Sequence, residues 1–143
     1  MGKVTIQFKA TNYDDLAASK HKPGRRKPAR AVEVEGLVDT GAVRLYLQRG
    51  VIAKLGLSPV DRIKSRTMSD RAEVRQVFSP VRLEIQGRSG TFEVVELPDT
   101  LPNIIGQIPL EHMDWVVDCK NHRLIPNPEH KHGELADEFG VGD

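Results

Sequence analysis

The residues best suited to chemistry are Asp39, Thr40 and Gly41, which follow directly on an apolar run ending at Val38. An acid at the end of a buried strand is held rigidly, the Thr40 hydroxyl can fix the turn, and Gly41 permits a close backbone approach. One carboxylate placed in this way could act as a general base. Two such carboxylates brought together would share a proton and could direct a water molecule at a carbonyl group, because like charges in contact do not both ionise cheaply.

The same tripeptide is also an ordinary turn sequence. On that interpretation Asp39 only reverses the chain, and its carboxylate is solvated. The elements that surround the tripeptide must decide between the two interpretations.

The elements around Asp39 are predicted to be mostly short strands. Val4, Ile6 and Phe8 alternate with polar residues, and "AVEVEGLV" resumes this alternation immediately before Asp39. Further strands are predicted at 45–47, at 81–85 and 92–97 as a hairpin, and in the segments "NIIG", "DWVVD" and "HRLIPNP". Short helices are predicted in "QRGVIAKLG", ended by Gly56, and in "PLEHM", begun by Pro109. The fold class is therefore all-β, closed or nearly closed, with one or two short helices.

The 143 residues suit one compact domain. We assign residues 1–128 to it, with an exposed basic loop inserted at 14–30 and a flexible polar tail at 129–143.

Two segments resemble the retropepsin-like (clan AA) aspartic proteases, including their small bacterial members. "EGLVDTGA" resembles the active-site strand of that family, and "TLPNIIG" resembles its second signature, with Ile104, Ile105 and Gly106 in the matching positions. The resemblance extends over roughly residues 3–128. It implies an acid-protease barrel in which the second segment packs beside the Asp39 turn.

The resemblance also implies a homodimeric endopeptidase acting on peptide or protein substrates. The chain has a single Asp-Thr-Gly, so each protomer would contribute one Asp39 at a two-fold axis, where the pair activates water without a metal or other cofactor. By the same resemblance, Thr40 would lock the two loops together, and Gly41 and Ala42 would line the cleft beside the substrate backbone.

The expected flap departs from the family pattern. By position it lies near "IKSRTMSDRAEVRQ", and its tip residues, expected to contact substrate, are Thr67, Met68, Ser69 and Asp70. Retroviral enzymes have glycines here that let the tip close, whereas this tip has none. The alternative function is therefore a binding or scaffold module of the same fold, weak or inactive as an enzyme.

A second departure concerns an ion pair that retroviral enzymes often form beside the catalytic loop. The matching positions here are Val43 and Gln107, so the pair is missing and the dimer must be stabilised elsewhere. Arg44 lies nearby in sequence, without an obvious partner.

The remaining features favour structural explanations. Lysine and arginine total 21 against 20 acids, so the neutral balance, with no aromatics in the basic 20–30 segment, argues against a nucleic-acid partner. A zinc site among His112, Asp114, Asp118, Cys119 and His122 is not expected, because alternate strand residues face apart.

We expect Asp118 and Arg123 to pair across a turn, and Trp115 to anchor the core or an interface. One cysteine and no long apolar N-terminal segment favour a cytoplasmic protein without signal peptide or membrane anchor.

Overall fold

The computed structural model describes residues 3–21, 27–66 and 71–130. This part of the chain contains nine strands and three short helices. In chain order these are β1 (Val4–Asn12), α1 (Tyr13–His21), β2 (Ala31–Val38), β3 (Leu45–Gln48), α2 (Arg49–Leu55), β4 (Pro59–Arg66), β5 (Ala72–Ile85), β6 (Arg88–Leu97), β7 (Asn103–Ile105), α3 (Gln107–His112), β8 (Trp115–Asp118) and β9 (Arg123–Pro126).

Seven of the strands form one sheet, in the order β1-β2-β7-β3-β6-β5-β4. The C-terminal half of β5 also pairs with the end of β1, and this pairing closes six strands into a barrel. The N-terminal half of β5 pairs with β4, which lies outside the closed ring. The register of β5 against β6 shifts between Phe78 and Val81, as expected where a strand bends from one pairing to the next. The predicted mainly β, closed architecture is confirmed.

The core follows from the period-two pattern of the strands. In β1 Val4, Phe8 and Ala10 are buried, while the intervening Thr5 and Gln7 are exposed. Fully burying an apolar side chain contributes about 1.5–3 kcal/mol, so the inward rows of the barrel strands supply most of the driving force for folding. Helix α2 adds its buried face to this core and ends, as predicted, at Gly56, whose φ of 65° is left-handed.

The prediction of an exposed loop over residues 14–30 was wrong for its first part, where α1 forms. The side chain of Asn12 caps this helix, because its Oδ1 accepts a hydrogen bond from the Asp15 amide at 3.0 Å. Asp14 and Asp15 in the first turn also complement the helix dipole. The Pro-Gly pair that suggested a loop falls at 23–24, outside the described residues. Helix α3 was predicted to begin at Pro109, but it begins two residues earlier, at Gln107.

The C-terminal part of the described chain is a separate hairpin of β8 and β9. Beyond it, His130 Nδ1 lies 2.6 Å from Asp114 Oδ2, so the first residues of the predicted polar tail contact the body of the protein. Residues 131–143 lie outside the described part. In the described ranges we find no helix of the length and hydropathy needed to cross a membrane.

Candidate active site

The Asp39 loop, residues 39–44, joins β2 to β3 at one end of the barrel. These two strands are not neighbours in the sheet, because β7 lies between them. Strand β7 runs parallel to β2, with Ile105 opposite Val38, and antiparallel to β3, with Ile105 also opposite Leu45. The predicted second signature therefore lies directly against the loop that carries Asp39.

Backbone hydrogen bonds hold the Asp39 loop to β7 and to the residues that follow it. The Asp39 amide donates to the Ile105 carbonyl at 3.0 Å. In the other direction the amides of Gly106 and Gln107 donate to the carbonyls of Arg44 and Ala42, at 2.9 and 2.8 Å. Because these bonds come from both ends of the loop, its backbone has little freedom to move without breaking the sheet.

Within the loop, a tight turn orients the carboxylate. The Ala42 amide donates to the Asp39 carbonyl at 3.1 Å, and the Gly41 amide donates to Asp39 Oδ1 at 2.8 Å. Oδ2 has no partner among the described residues, and the side chain is half-buried. Thr40 and Gly41 are exposed. One carboxylate oxygen is thus fixed by the backbone, and the other is available to a ligand or to a second carboxylate.

Gly106 is required by space rather than by its backbone angle. A Cβ at this position would lie 2.5 Å from the Arg44 carbonyl oxygen and 2.8 Å from the carbonyl carbon and oxygen of Ala42. All three atoms belong to the loop backbone, which cannot move aside as a flexible side chain could. The glycine of the second signature therefore sets how closely β7 approaches the Asp39 loop.

Asn103 is a supporting residue that the sequence reasoning missed. It is 4% exposed at the start of β7. Its Nδ2 donates to the Glu35 carbonyl in β2 at 3.0 Å, and its Oδ1 accepts from the Gln48 amide in β3 at 2.8 Å. One side chain thereby ties together the two strands that carry the loop. The available signal was an amide residue immediately before the apolar pair Ile104 and Ile105.

The predicted flap corresponds to the hairpin of β4 and β5, in which Arg66 pairs with Ala72. The four expected substrate-contacting residues, Thr67, Met68, Ser69 and Asp70, lie outside the described residues. The body of the hairpin is described and carries two exposed apolar side chains, Val60 and Val74.

The surface around Val43 and Gln107, the two positions expected for the ion pair, is partly apolar. Val43 is 55% exposed and Ile108 is 51% exposed. The two residues are adjacent, because the Ile108 amide donates to the Val43 carbonyl at 2.9 Å. Gln107 is turned to its own helix, where Nε2 donates to Glu111 Oε1 at 2.7 Å. An exposed apolar pair is therefore formed by Val43 of the Asp39 loop and Ile108 of α3, which lies beside it.

The other titratable residues considered in the sequence are dispersed rather than gathered into a site. His112 packs edge-on against Phe92, with ring centroids 5.2 Å apart, and Asp114 bonds His130. No group of three or more histidine, cysteine, aspartate or glutamate residues within the described ranges could hold a metal ion.

Two structural predictions are confirmed in the hairpin of β8 and β9. Trp115 lies in the core, with the Arg88 guanidinium 4.3 Å from its ring centre. Asp118 pairs with Arg123 at 3.3 Å. The pKa of Asp118 is lowered, first by the hydrogen bond from the Asn121 side chain and less by Arg123.

The basic segment is only partly described. Arg30 pairs with Asp15 at 2.9 Å, and the hydrogen bond and charge of Asp15 raise the pKa of Arg30. Residues 22–26, which include three of its six cations, lie outside the described part.

No protein-family model matches this chain, and a search of curated proteins returned no significant match.

Proposed function

We propose that this protein is a homodimeric aspartic endopeptidase of the retropepsin type, in which each protomer contributes Asp39. The observation that carries the proposal is the position of β7 between β2 and β3, where the "NIIG" segment fixes the Asp39 loop through backbone bonds at both its ends. Two motifs more than 60 residues apart in sequence are thus brought into contact at one strand end, with the carboxylate facing outward.

A second copy of the chain accounts for the exposed side of the loop. Thr40 and Gly41 are exposed, and beside them lie the apolar side chains of Val43 and Ile108. Burying each of these side chains fully in a dimer contact would contribute up to about 1.5–3 kcal/mol, which could replace the missing ion pair. The two-fold axis would pass between the loops, so that the same residues meet on both sides.

The mechanism then needs only the two carboxyl groups and water. With one proton shared between the two Asp39 side chains, the ionised group removes a proton from the bound water as it attacks the peptide carbonyl. The protonated group gives its proton to the carbonyl oxygen, which forms a tetrahedral diol. The carboxyl that took the water proton then gives it to the amide nitrogen, the C–N bond breaks, and the other carboxylate takes a proton back from a hydroxyl of the diol, so that the pair again holds one proton. The Gly41 amide keeps each carboxylate oriented through these transfers. We expect no metal and no organic cofactor to take part.

The direct test compares the wild type with Asp39→Asn, which keeps the shape of the side chain but cannot act as a base. Both proteins are incubated with denatured casein over about pH 3 to 7, which covers acidic and neutral conditions for acid–base catalysis, and new peptides are identified by mass spectrometry. Because general acid–base catalysis contributes about 10²–10⁴-fold, we expect cleavage to fall by at least that factor. Asp14→Asn in α1 is the matched control and should cleave like the wild type. Equal cleavage by wild type and Asp39→Asn would refute the proposal.

The dimer is tested separately by sedimentation over a range of protein concentrations. We expect an equilibrium between monomer and dimer that Val43→Asp or Ile108→Asp shifts toward monomer, because a charge would be buried at the contact. A wild type that stays monomeric at every concentration would leave each Asp39 alone and would contradict the paired mechanism.

A binding or scaffold module is the second candidate. The glycine-free sequence of residues 67–71 favours it, because a stiffer tip closes less readily over a substrate. A stable dimer that binds peptides but shows no Asp39-dependent cleavage would decide for this alternative.

A further inference from the structure

Arg44 is a half-buried cation at the end of the Asp39 loop. Its backbone is engaged on both sides, since its amide donates to the Tyr46 hydroxyl at 3.4 Å and its carbonyl accepts from Gly106 at 2.9 Å. Its guanidinium, in contrast, has no ion pair or hydrogen bond with any residue in the described ranges. Several other arginines are paired with acids at 4.0 Å or less, namely Arg30, Arg49, Arg75 and Arg123.

The Arg44 side chain lines a cleft of about 230 Å³ beside the loop. The cleft belongs to the same surface as the exposed apolar pair, because Ile108 forms part of its wall. Its other lining residues are Leu45, Thr91, Phe92, Glu93 and Pro109. The walls are therefore mostly apolar, with one cation and one exposed carboxylate, and no ion pair joins Arg44 to Glu93.

The cleft lies within reach of a peptide bound at Asp39. The hydrogen bond from the Ala42 amide to the Asp39 carbonyl closes a turn, which holds the Cα atoms of these residues within about 7 Å. Arg44 is two residues further along and adds at most about 7 Å. An extended peptide rises about 3.3 Å per residue, so four residues span the resulting 14 Å or so.

We propose that this cleft is a substrate subsite for an acidic side chain, with Arg44 as the residue that determines the specificity. The inference rests on the proposed protease function and adds the substrate class. A guanidinium binds a carboxylate through two parallel hydrogen bonds. The apolar walls exclude water and accommodate the methylene groups of glutamate, which strengthens the attraction. The preferred substrates therefore have glutamate or aspartate within about four residues of the cleaved bond.

The experiment uses paired casein peptides built around a bond that the wild type cleaves or, where it cleaves none, around the central bond of the casein peptide that binds Asp39→Asn most tightly. Each pair differs only in glutamate or glutamine at one position, up to four residues on either side of the bond. We expect the wild type to prefer glutamate at one position by about 10- to 100-fold in kcat/KM, the range given by a charge-assisted hydrogen bond. In Arg44→Gln this ratio should fall toward one, and in Arg44→Glu a lysine peptide should become the better substrate. Arg82→Gln, an exposed arginine bonded to Ser89, is the control and should keep the wild-type ratio.

Binding of the same peptide pairs to Asp39→Asn, measured by fluorescence anisotropy, separates this inference from the proposed function. Tighter binding of the glutamate peptide that is lost with Arg44→Gln supports the subsite even without any cleavage. Asp39-dependent cleavage with equal rates for every pair overturns the subsite and leaves the protease function standing. An Arg44→Gln protein that becomes monomeric under conditions where the wild type is a dimer also overturns it, because Arg44 would then serve the contact between copies.

Discussion

Removing the amide of Asn103 should loosen the Asp39 loop from within the barrel. In Asn103→Leu the Glu35 carbonyl and the Gln48 amide both lose the partner that Asn103, itself 4% exposed, provides. Leaving a buried backbone group unsatisfied costs about 1–3 kcal/mol, so the two together cost about 2–6 kcal/mol. This is a large share of the roughly 5–15 kcal/mol that stabilises a domain.

The assay is thermal unfolding followed by circular dichroism. For a chain of this size about 1 kcal/mol corresponds to roughly 4 °C in Tm, so Asn103→Leu should lower Tm by about 8–24 °C. The exposed Asn121→Leu serves as a control for the change of side-chain chemistry and should shift Tm far less. A loss below about 4 °C, equivalent to 1 kcal/mol, would refute the bridging role.

Asn103→Asp tests the same bridge through its pH dependence. One carboxyl oxygen can still accept from the Gln48 amide, but the other would face the Glu35 carbonyl, where only a protonated carboxyl can donate. Burial and this contact both raise the pKa of the new carboxyl in the folded state above its unfolded value of about 3.9. The variant should therefore be most stable below about pH 4 and lose stability as pH rises through the raised pKa. If the free energy of unfolding of Asn103→Asp falls below that of the wild type by the same amount below about pH 4 and above the raised pKa, the geometry is contradicted.

Three further predictions concern the loop and its surroundings. Gly106→Ala should destabilise the fold by about 1–3 kcal/mol or more in urea unfolding, because the added Cβ would lie 2.5 Å from the Arg44 carbonyl oxygen; an unchanged midpoint would show that the approach is not rigid. Asn121→Ala should raise the pKa of Asp118, measured by NMR titration, because it removes the hydrogen bond that lowers this pKa most. The contribution of Asp118 to folding stability, which is present above its unfolded pKa and lost on acidification, should then become smaller. An unchanged pKa would contradict the assigned cause. Asp99→Ala should cost about 0.5–2 kcal/mol, because its Oδ1 accepts at 2.8 Å from an amide in the first turn of α2, and Asp99→Asn should recover most of that loss.

The elements that sequence could predict are those with local signals. The strands of the barrel show period-two alternation, and Gly56 marks the end of α2 because only a left-handed residue suits that position. The expected packing of the "NIIG" segment beside the Asp39 turn depends on residue types that close backbone contacts restrict, and the structure shows such a contact at Gly106. The pairing of Asp118 with Arg123 could also be predicted, because the two residues are only five positions apart in sequence.

The features that sequence could not give depend on contacts across the sheet. Nothing local indicates that β7 enters between β2 and β3, or that β5 pairs with β4 in one half and β1 in the other. The sequence predicted Asn103 only as part of a short strand, because its two hydrogen-bond partners lie 68 and 55 residues away in sequence. The α1 helix was missed because the proline and basic residues after it outweighed the capping residue Asn12. The errors in the sheet order and at Asn103 therefore come from long-range pairings. The error at α1 comes from a helix cap, Asn12, that precedes the expected loop.

The composition of the Asp39 loop bears on how many chains a working site needs. Between Asp39 and Arg44 the intervening side chains are a hydroxyl, a hydrogen and two apolar groups, none of which exchanges a proton near neutral pH. The Arg44 guanidinium carries only N–H donors, and β7 brings the amide residue Asn103 and two isoleucines beside the loop. Within residues 39–44, a single chain thus presents one proton-transferring group, fixed on one side by the Gly41 amide and open on the other. Hydrolysis by paired carboxyls requires a second such group, and the loop is exposed on the side from which an identical loop could supply it.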